Sequence, residues 1–343
     1  MTTHTATELN SAHDLLAAVP FMVGYHPTNS LVAMAIVNGK ISMAMRVDFP
    51  APDIMEATCH TIAMHLVREK ASEAIVVGYL PEPCIDSNPL STICDVLEQH
   101  DVLVKESLKV SGDRFVSTLC HNPTCCPLEG NPLPPLSESR VTVEQIAAGN
   151  PMPFLDLDHL KNSIASVEPD KELLDLIENQ VPIDYEYSGF VMQQRLGAEA
   201  VNELVAEFTS AGISTNKPLI ALVISRLMDL QVRDYAMGMV NPENALTLWD
   251  MWRWLLTIAP DGYVSPVASI FAVMSYERGD GALAQRALDR ALADNSTYPM
   301  AKLLRRTFAA GWPPSAFSQM RAELHPKICE SLFGTVGTSE NRK

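Results

Sequence analysis

A proline-rich stretch near the middle of the chain divides it into two parts. Residues 120–153 contain seven of the 24 prolines. Proline fixes φ and lacks the N–H that helices and central strands need, so no long regular element runs through this stretch. We predict only a short helix near Val143 to Ala148 and interpret residues 121–156 as a connector. The seven prolines are Pro123, Pro127, Pro132, Pro134, Pro135, Pro151 and Pro153.

The part before the connector, residues 1–120, has the pattern of an α/β domain. Ile41 to Phe49 alternates apolar and polar residues, as in a strand with one buried face. It follows Asn38-Gly39, a dipeptide that favours a two-residue hairpin turn. A hairpin, a helix, a strand, a helix and two more strands then predict a mixed sheet with flanking helices. The predicted strands are Ser30 to Val37, Ile41 to Phe49, Ala74 to Tyr79, Val102 to Val110 and Arg114 to Leu119, and the predicted helices are Asp53 to Lys70 and Pro89 to His100.

The part after the connector, residues 157–333, is predicted to be an all-α domain, followed by a polar tail at residues 334–343 that is expected to fray. Small and large residues from Ala268 to Leu292 lie close to the spacing of one TPR-like helix hairpin. Only one such unit is visible, so an ordinary hairpin in a helical bundle is the alternative. The predicted helices are His159 to Ser166, Asp170 to Asn179, Ala198 to Ala211, Pro218 to Met239, Pro242 to Ile258, Ser265 to Arg278, Gly281 to Ala293, Pro299 to Ala310 and Pro314 to Leu324.

The charge of the chain excludes some classes of partner. Asp and Glu number 41 against 25 Lys and Arg, which gives a net charge of −16. An acidic chain without a basic run is repelled by nucleic-acid phosphates and anionic lipids, so we expect neither as a partner. Residues 1–10 lack the basic start and apolar core of a signal peptide, and apolar runs such as Leu31 to Val37 are far shorter than a membrane span of roughly 20 residues. We therefore expect a cytoplasmic protein, whose seven cysteines are thiols or metal ligands.

Two segments of the first part carry candidate pocket residues. Pro20 to Val32 is a tight passage into the first predicted strand and offers His26, Asn29 and Ser30 as a polar rim. Arg46 and Asp48 share a strand face at positions i and i+2. The alternatives are a structural turn for the first segment and a solvated ion pair, worth under about 1 kcal/mol, for the second.

A cysteine cluster lies where the connector begins. Cys120, His121, Cys125 and Cys126 place three thiols and an imidazole within seven positions, which makes a zinc site one interpretation. Against it, zinc commonly uses two knuckles, and we expect the adjacent Cys125 and Cys126 to point in different directions. Small buried packing groups, a redox thiol and a disulfide are the alternatives.

The familiar signatures of nucleotide binding and serine hydrolysis are absent, since the sequence has no GxxxxGK[ST], no GxGxxG after a strand and no GxSxG. The order of several other segments resembles the DUF4192 family, a domain of unknown function found in actinobacteria. The resemblance covers about Leu15 to Pro314 and implies an intracellular bacterial protein, with no activity to carry over. The segments are Pro20 to Val32, Arg46 to Pro50, Cys120 to Gly130, Val232 to Asp234, Gly279 to Ala284 and Ala287 to Leu292.

Two hypotheses on function follow. The first is a non-enzymatic binding or regulatory module that uses the helical domain to bind a protein partner. The second is an enzyme or small-molecule binder with a pocket at one end of the N-terminal sheet, lined by the rim residues named above and the cysteine loop. Convergence of those residues in one concavity would favour the second hypothesis. The sequence does not indicate an oligomeric state.

Overall fold

The computed structural model describes residues 7–81, 90–133, 135, 138–168 and 170–334 of the 343-residue chain. The chain divides into two compact units, residues 1–160 and residues 161–343. By this division the proline-rich residues 121–156 lie within the first unit. Pro89 at the start of a predicted helix, Pro134 in the connector and the predicted tail beyond Gly334 lie outside the described residues.

The first unit is built on a six-stranded mixed sheet, which confirms the predicted fold class. The strand order is β2-β1-β3-β4-β5-β6, and β3 and β4 are parallel whereas the other neighbouring pairs are antiparallel. The strands are β1 (Ser30–Val37), β2 (Lys40–Asp48), β3 (Glu73–Tyr79), β4 (Leu103–Ser111), β5 (Arg114–Ser117) and β6 (Asn131–Pro132), and the helices up to the end of this unit are α1 (Ala12–Val23), α2 (Met55–Arg68), α3 (Ser91–Gln99), α4 (Arg140–Ala147) and α5 (Leu157–Asn162).

The core of the first unit lies around β1, the strand between β2 and β3. Alternate residues of this strand, such as Leu31 and Ala33, pack in one apolar cluster with residues of α2 and α3, among them Ile62 and Leu97. Val32 points to the opposite face and is also fully buried. Burial on both faces explains why β1 is almost continuously apolar.

Three local features differ from the sequence expectations. Residues 12–23 form helix α1, whereas the sequence pattern predicts no helix there and a tight passage into the first strand from Pro20 onward. Pro20 lies in the last turn, where its missing N–H leaves the Leu16 carbonyl without its helical partner, and Gly24 then ends the helix with a φ of +85°. Helix α2 begins at Met55 without a side-chain cap, two residues after the predicted start at Asp53. The two-residue strand β6 was not predicted at all.

The second unit is a run of helices, as predicted. Its helices are α6 (Lys171–Glu178), α7 (Phe190–Ala211), α8 (Lys217–Arg226), α9 (Leu230–Gly238), α10 (Ala245–Ile258), α11 (Val264–Glu277), α12 (Gly281–Asp294), α13 (Pro299–Ala309) and α14 (Pro314–Phe333). The prediction of a single helix from Pro218 to Met239 is wrong, because the chain turns between α8 and α9. Asp229 causes the break: its side chain accepts hydrogen bonds from the backbone N–H groups of Gln231 and Val232 and so caps α9.

Helix α11 is the centre of the second unit, since twelve consecutive residues from Val264 to Ser275 are buried. It forms an antiparallel hairpin with α12 across Gly279, whose φ is +85°. At the same end of α11, Glu277 receives two nitrogens of the Arg321 guanidinium from α14, each at 2.9 Å. No helix in the described ranges combines the length and the apolar character that a membrane crossing requires.

Candidate functional site

A cavity of about 600 Å³ lies at one end of the sheet in the first unit. Tyr79 and Val110 mark its position, because they stand near the carboxyl ends of the parallel strands β3 and β4. The carboxyl ends of parallel strands are the usual place for a ligand in open α/β sheets. The lining residues are Leu16, Ala17, Pro20, His26, Pro27, Thr28, Asn29, Tyr79, Leu80, Val110, Gly112 and Leu133.

The lining of this cavity is neutral and mostly apolar. It contains no carboxylate, ammonium or guanidinium group among the described residues, although the first 160 residues carry 19 acidic and 8 basic side chains. Burial lowers the pKa of His26, so its ring is neutral at pH 7, and burial raises the pKa of Tyr79, so its hydroxyl keeps its proton. The polar groups on offer are therefore uncharged hydrogen-bond donors and acceptors.

The segment that carries His26 and Asn29 is fixed at both ends. The backbone N–H of His26 donates to the carbonyl of Phe154 at 3.0 Å, and the N–H of Phe154 donates to the carbonyl of Gly24 at 2.9 Å. At the other end Asn29 has a φ of +45°, and its carbonyl accepts from the N–H of Phe49 at 2.8 Å. Asparagine tolerates this left-handed conformation better than most residues, so the sequence suits the bend.

The predicted pocket residues separate into two groups. His26 and Asn29 line the cavity, whereas Ser30, Arg46 and Asp48 are not part of its lining. The antiparallel register of β1 and β2 explains why the second group lies together, because Ser30 on β1 stands opposite Asp48 on β2. Arg46 lies two residues before Asp48, and side chains two residues apart on a strand share a face.

Arg46 braces the turn from the side of the sheet. Its Nε donates to Oγ of the buried Ser30 at 2.7 Å, and Ser30 donates in turn to the carbonyl of Thr28 at 2.6 Å. Its Nη1 contacts Asp48 at 2.7 Å, and the guanidinium lies 5.8 Å from the centroid of the Tyr25 ring. The Asp48 side chain is 87% exposed, so the Asp48 contact is solvated while the Ser30 contact is not.

Most of the apolar lining could not be identified from the sequence as a site. Leu16, Ala17 and Pro20 come from α1, which was not predicted. Tyr79 and Val110 end two apolar strands, and the rule on carboxyl ends of parallel strands is the signal that could have found them.

The cysteine loop lies between β5 and β6. The sulfur atoms of Cys120 and Cys125 are 3.1 Å apart, and the sulfur atoms of Cys120, Cys125 and Cys126 all lie within 4.8 Å of one another. The expectation that Cys125 and Cys126 point in different directions is wrong, because the turn at residues 122–126 brings both to Cys120. His121 does not belong to this converging group.

The three thiols have different acidities. Hydrogen bonds from the Cys125 thiol and the Asn122 backbone lower the pKa of Cys120. The same contact with Cys120 raises the pKa of Cys125 to about 11, and desolvation raises that of Cys126. In the absence of a metal, Cys120 is thus the thiol that deprotonates first.

The residues around both features lie within one family match. A family model described as a domain of unknown function, DUF4192, matches residues 13–315. A search of characterised proteins and a search of solved structures each returned no match. The match extends from the start of α1 to the start of α14 and covers most of the chain, so the chain belongs to the DUF4192 family.

Proposed function

We propose that the first unit is a binding module for a small, uncharged and largely apolar molecule. The observation that carries this proposal is the cavity at the carboxyl ends of β3 and β4, with an apolar wall and a few neutral polar groups. Its volume of about 600 Å³ is within the usual range for small-molecule sites. A charged ligand would lose its hydration there without gaining a counter-charge, which disfavours it.

The polar groups of the lining suit binding better than turnover. His26 is the one lining side chain among the described residues that ordinarily titrates near neutral pH, and burial keeps it neutral. Tyr79 keeps its proton and offers a hydrogen bond. General acid–base catalysis needs a group whose pKa lies near the operating pH, and covalent catalysis needs an activated nucleophile, commonly one beside its base. The described lining supports orientation of a ligand by hydrogen bonds instead.

A neutral apolar dye tests this proposal. N-phenyl-1-naphthylamine gains fluorescence when it leaves water, so we expect saturable binding to the wild-type protein. Thr28 is exposed at the cavity, and Thr28→Trp places an indole in the space without replacing a core residue. We expect it to weaken binding at least about tenfold, the equivalent of about 1.4 kcal/mol.

The matched control is Thr61→Trp, which makes the same change at an exposed position of α2 outside the cavity lining. It should bind the dye as the wild type does. Equal affinity of the wild type and Thr28→Trp would refute the proposal, as would an equal loss in both variants.

A second candidate function, for the helical unit, is binding of a protein partner. Four apolar side chains that are each more than half exposed lie around the α8–α9 turn: Val181, Tyr185, Met228 and Leu230. Two hydrogen bonds hold them together, from Tyr185 Oη to Asp229 at 2.6 Å and from Arg226 to the Val181 carbonyl at 2.7 Å. Exposed apolar clusters of this kind mark interaction surfaces. The TPR-like character of the α11–α12 hairpin belongs to this second proposal.

A matched pair of leucines tests the second candidate. Leu230 is 62% exposed in the cluster, and Leu246 is 61% exposed at the start of α10. Cross-linked partners from a lysate of the source organism should be lost with Leu230→Glu and retained with Leu246→Glu. Identical partners for both variants would exclude the surface at the α8–α9 turn.

A further inference from the structure

We propose that the cysteine loop, residues 118–130, binds one zinc ion through the sulfur atoms of Cys120, Cys125 and Cys126. Within the described ranges these side chains are the one group of three or more His, Cys, Asp or Glu residues whose ligand atoms converge. Thiolates are preferred ligands of zinc. The site is separate from the cavity, since none of the three cysteines belongs to the cavity lining.

The separations of the sulfur atoms fit a tetrahedral zinc centre. With Zn–S bonds of about 2.3 Å, two sulfur ligands of a tetrahedron stand about 3.8 Å apart. The observed separations range from 3.1 Å between Cys120 and Cys125 to at most 4.8 Å within the group. The tetrahedral separation lies inside this range, so the three sulfur atoms are close enough to one another to share one ion.

Hydrogen bonds to backbone groups hold the loop in this shape. The N–H of Cys126 donates to the carbonyl of Asn122 at 2.8 Å, and the Asn122 side chain accepts from the N–H of Thr124 at 2.9 Å. The N–H of Cys120 donates to Ser117 Oγ at 3.2 Å, and the side chain of Asn131 donates to the Cys125 carbonyl at 2.8 Å. The loop is thus fixed before a metal arrives, which lowers the entropy cost of binding.

Exposure argues against the packing alternative. A cysteine that serves as a small packing group is buried, as Cys59 is at 0% exposure in the apolar core. Cys125 is exposed, and Cys120 and Cys126 are partly exposed. A disulfide between Cys120 and Cys125 would use two of the three converging sulfurs and leave Cys126 without a role, whereas a metal uses all three.

Three protein ligands leave one position of the tetrahedron for solvent or an external ligand. Each thiol gives up its proton to water when it coordinates, so up to three protons are released for each ion bound. His121 is next to Cys120 in sequence, yet its ring does not converge with the sulfurs, and we assign it no bond to the metal.

Zinc and cobalt titrations of the full-length protein, purified under reducing conditions and freed of metal with a chelator, test the proposal. We expect one equivalent of Zn²⁺ to bind, and Co²⁺ to produce sulfur-to-metal charge-transfer absorption with the visible bands of tetrahedral cobalt. Cys120→Ser, Cys125→Ser and Cys126→Ser should each weaken zinc binding by more than about 100-fold, since loss of an outer contact alone costs 10 to 100-fold. The matched control Cys329→Ser and the variant His121→Ala should behave as the wild type.

Alkylation of the wild-type protein gives a second measurement that does not depend on how the variants fold. One equivalent of Zn²⁺ should protect Cys120, Cys125 and Cys126 from iodoacetamide, as mapped by mass spectrometry, and leave the reactivity of Cys329 unchanged. The proposal is overturned if zinc protects none of the three thiols, if Co²⁺ gives no thiolate band, or if a Cys120–Cys125 disulfide is found in protein kept under reducing conditions. Loss of the cobalt spectrum in His121→Ala would overturn the three-sulfur assignment.

Discussion

In the helical unit the buried guanidinium of Arg321 meets a full set of partners, whereas in the sheet unit the ring of His26 faces the open space of a cavity. Arg321 binds Glu277 with two nitrogens, and its third donates to the carbonyl of Val240 at 3.0 Å and to that of Gly238 at 3.2 Å. His26 and Tyr79 instead border empty volume. A buried polar group whose partners all come from the fold serves the fold, while one that borders a cavity is available to a ligand.

The two units also differ in net charge and in where their charged side chains lie. Residues 1–160 carry a net charge of −11 and residues 161–343 one of −5, although the second part is the longer. In the helical unit the buried Arg321 and Arg233 each pair with an acidic side chain, and Arg233, which pairs with Asp234, also donates to the Tyr298 hydroxyl. In the sheet unit, no acidic side chain belongs to the described lining of the cavity, which is therefore neutral. The excess negative charge therefore restricts what approaches the cavity more than what fits inside it.

The largest effect is expected from Arg321, whose guanidinium makes the buried contacts described above. Arg321→Met leaves the carboxylate of Glu277, whose side chain is 12% exposed, without its partner. Breaking a buried pair in this way costs about 3–5 kcal/mol. Urea unfolding should show this loss, and the double variant Arg321→Met/Glu277→Gln should recover part of it. A matched Arg306→Met change at an exposed position of α13 should cost under about 0.5 kcal/mol.

Equal unfolding free energies for Arg321→Met and Arg306→Met would show that the buried pair of Arg321 and Glu277 does not stabilise the helical unit. Arg321 lies beyond the family match, which ends at residue 315. Its expected contribution indicates that the stable helical unit extends past the matched region.

The next effect is stabilisation of the sheet unit by zinc, and it rests on the proposed zinc site. Zinc that binds only the folded protein stabilises it by about 2.7 kcal/mol at a free concentration 100 times the dissociation constant. The thermal midpoint of the wild type should therefore rise with zinc, while that of Cys126→Ser should not. A rise of equal size in Cys126→Ser would locate the stabilising ion elsewhere.

A third prediction separates the two contacts of Arg46. Arg46→Met removes a charge-assisted hydrogen bond to the buried Ser30, which is worth about 1.5–3 kcal/mol, and should loosen the turn that carries His26. Asp48→Asn removes only a solvated ion pair and should cost about 0–1 kcal/mol. Unfolding experiments measure both, and dye affinity should fall with Arg46→Met alone. A larger cost for Asp48→Asn would contradict the assignment of Arg46 as a brace.

The parts of the fold that the sequence predicts correctly are those with local causes. Asn38-Gly39 forms its turn from two neighbouring residues, and the alternation from Ile41 follows from one buried face. Helix α1 was missed because seven of its twelve residues are buried, among them six consecutive ones from Leu15 to Pro20, so it lacks a clear amphipathic period. Its burial depends on α4 and the sheet, which a local pattern does not contain.

The site could be predicted only in part, for the same reason. His26 and Asn29 were identified because polar residues in a tight turn before a strand are conspicuous in sequence. Tyr79 and Val110 are 31 positions apart in the chain and meet only through the parallel register of β3 and β4. The brace by Arg46 depends on the antiparallel register that sets Ser30 opposite Asp48, and the convergence of the three sulfurs depends on the turn at Asn122.

The smallest effect is a pH dependence of stability and of dye affinity, and it arises from the ring of His26, which borders the cavity. Burial lowers the pKa of His26 from its ordinary value of 6.5, so the folded protein takes up a proton there less readily than the unfolded chain. The stability that the neutral ring provides is complete above pH 6.5 and is lost as the pH falls through the lowered pKa. Protonation also places a charge in an apolar cavity, so dye affinity should fall over the same range. His26→Gln keeps a neutral polar side chain and should show a flatter dependence of affinity on pH than the wild type. Identical pH profiles for both proteins would mean that the ring of His26 does not face the bound molecule and serves the fold, as the Arg321 guanidinium does in the helical unit.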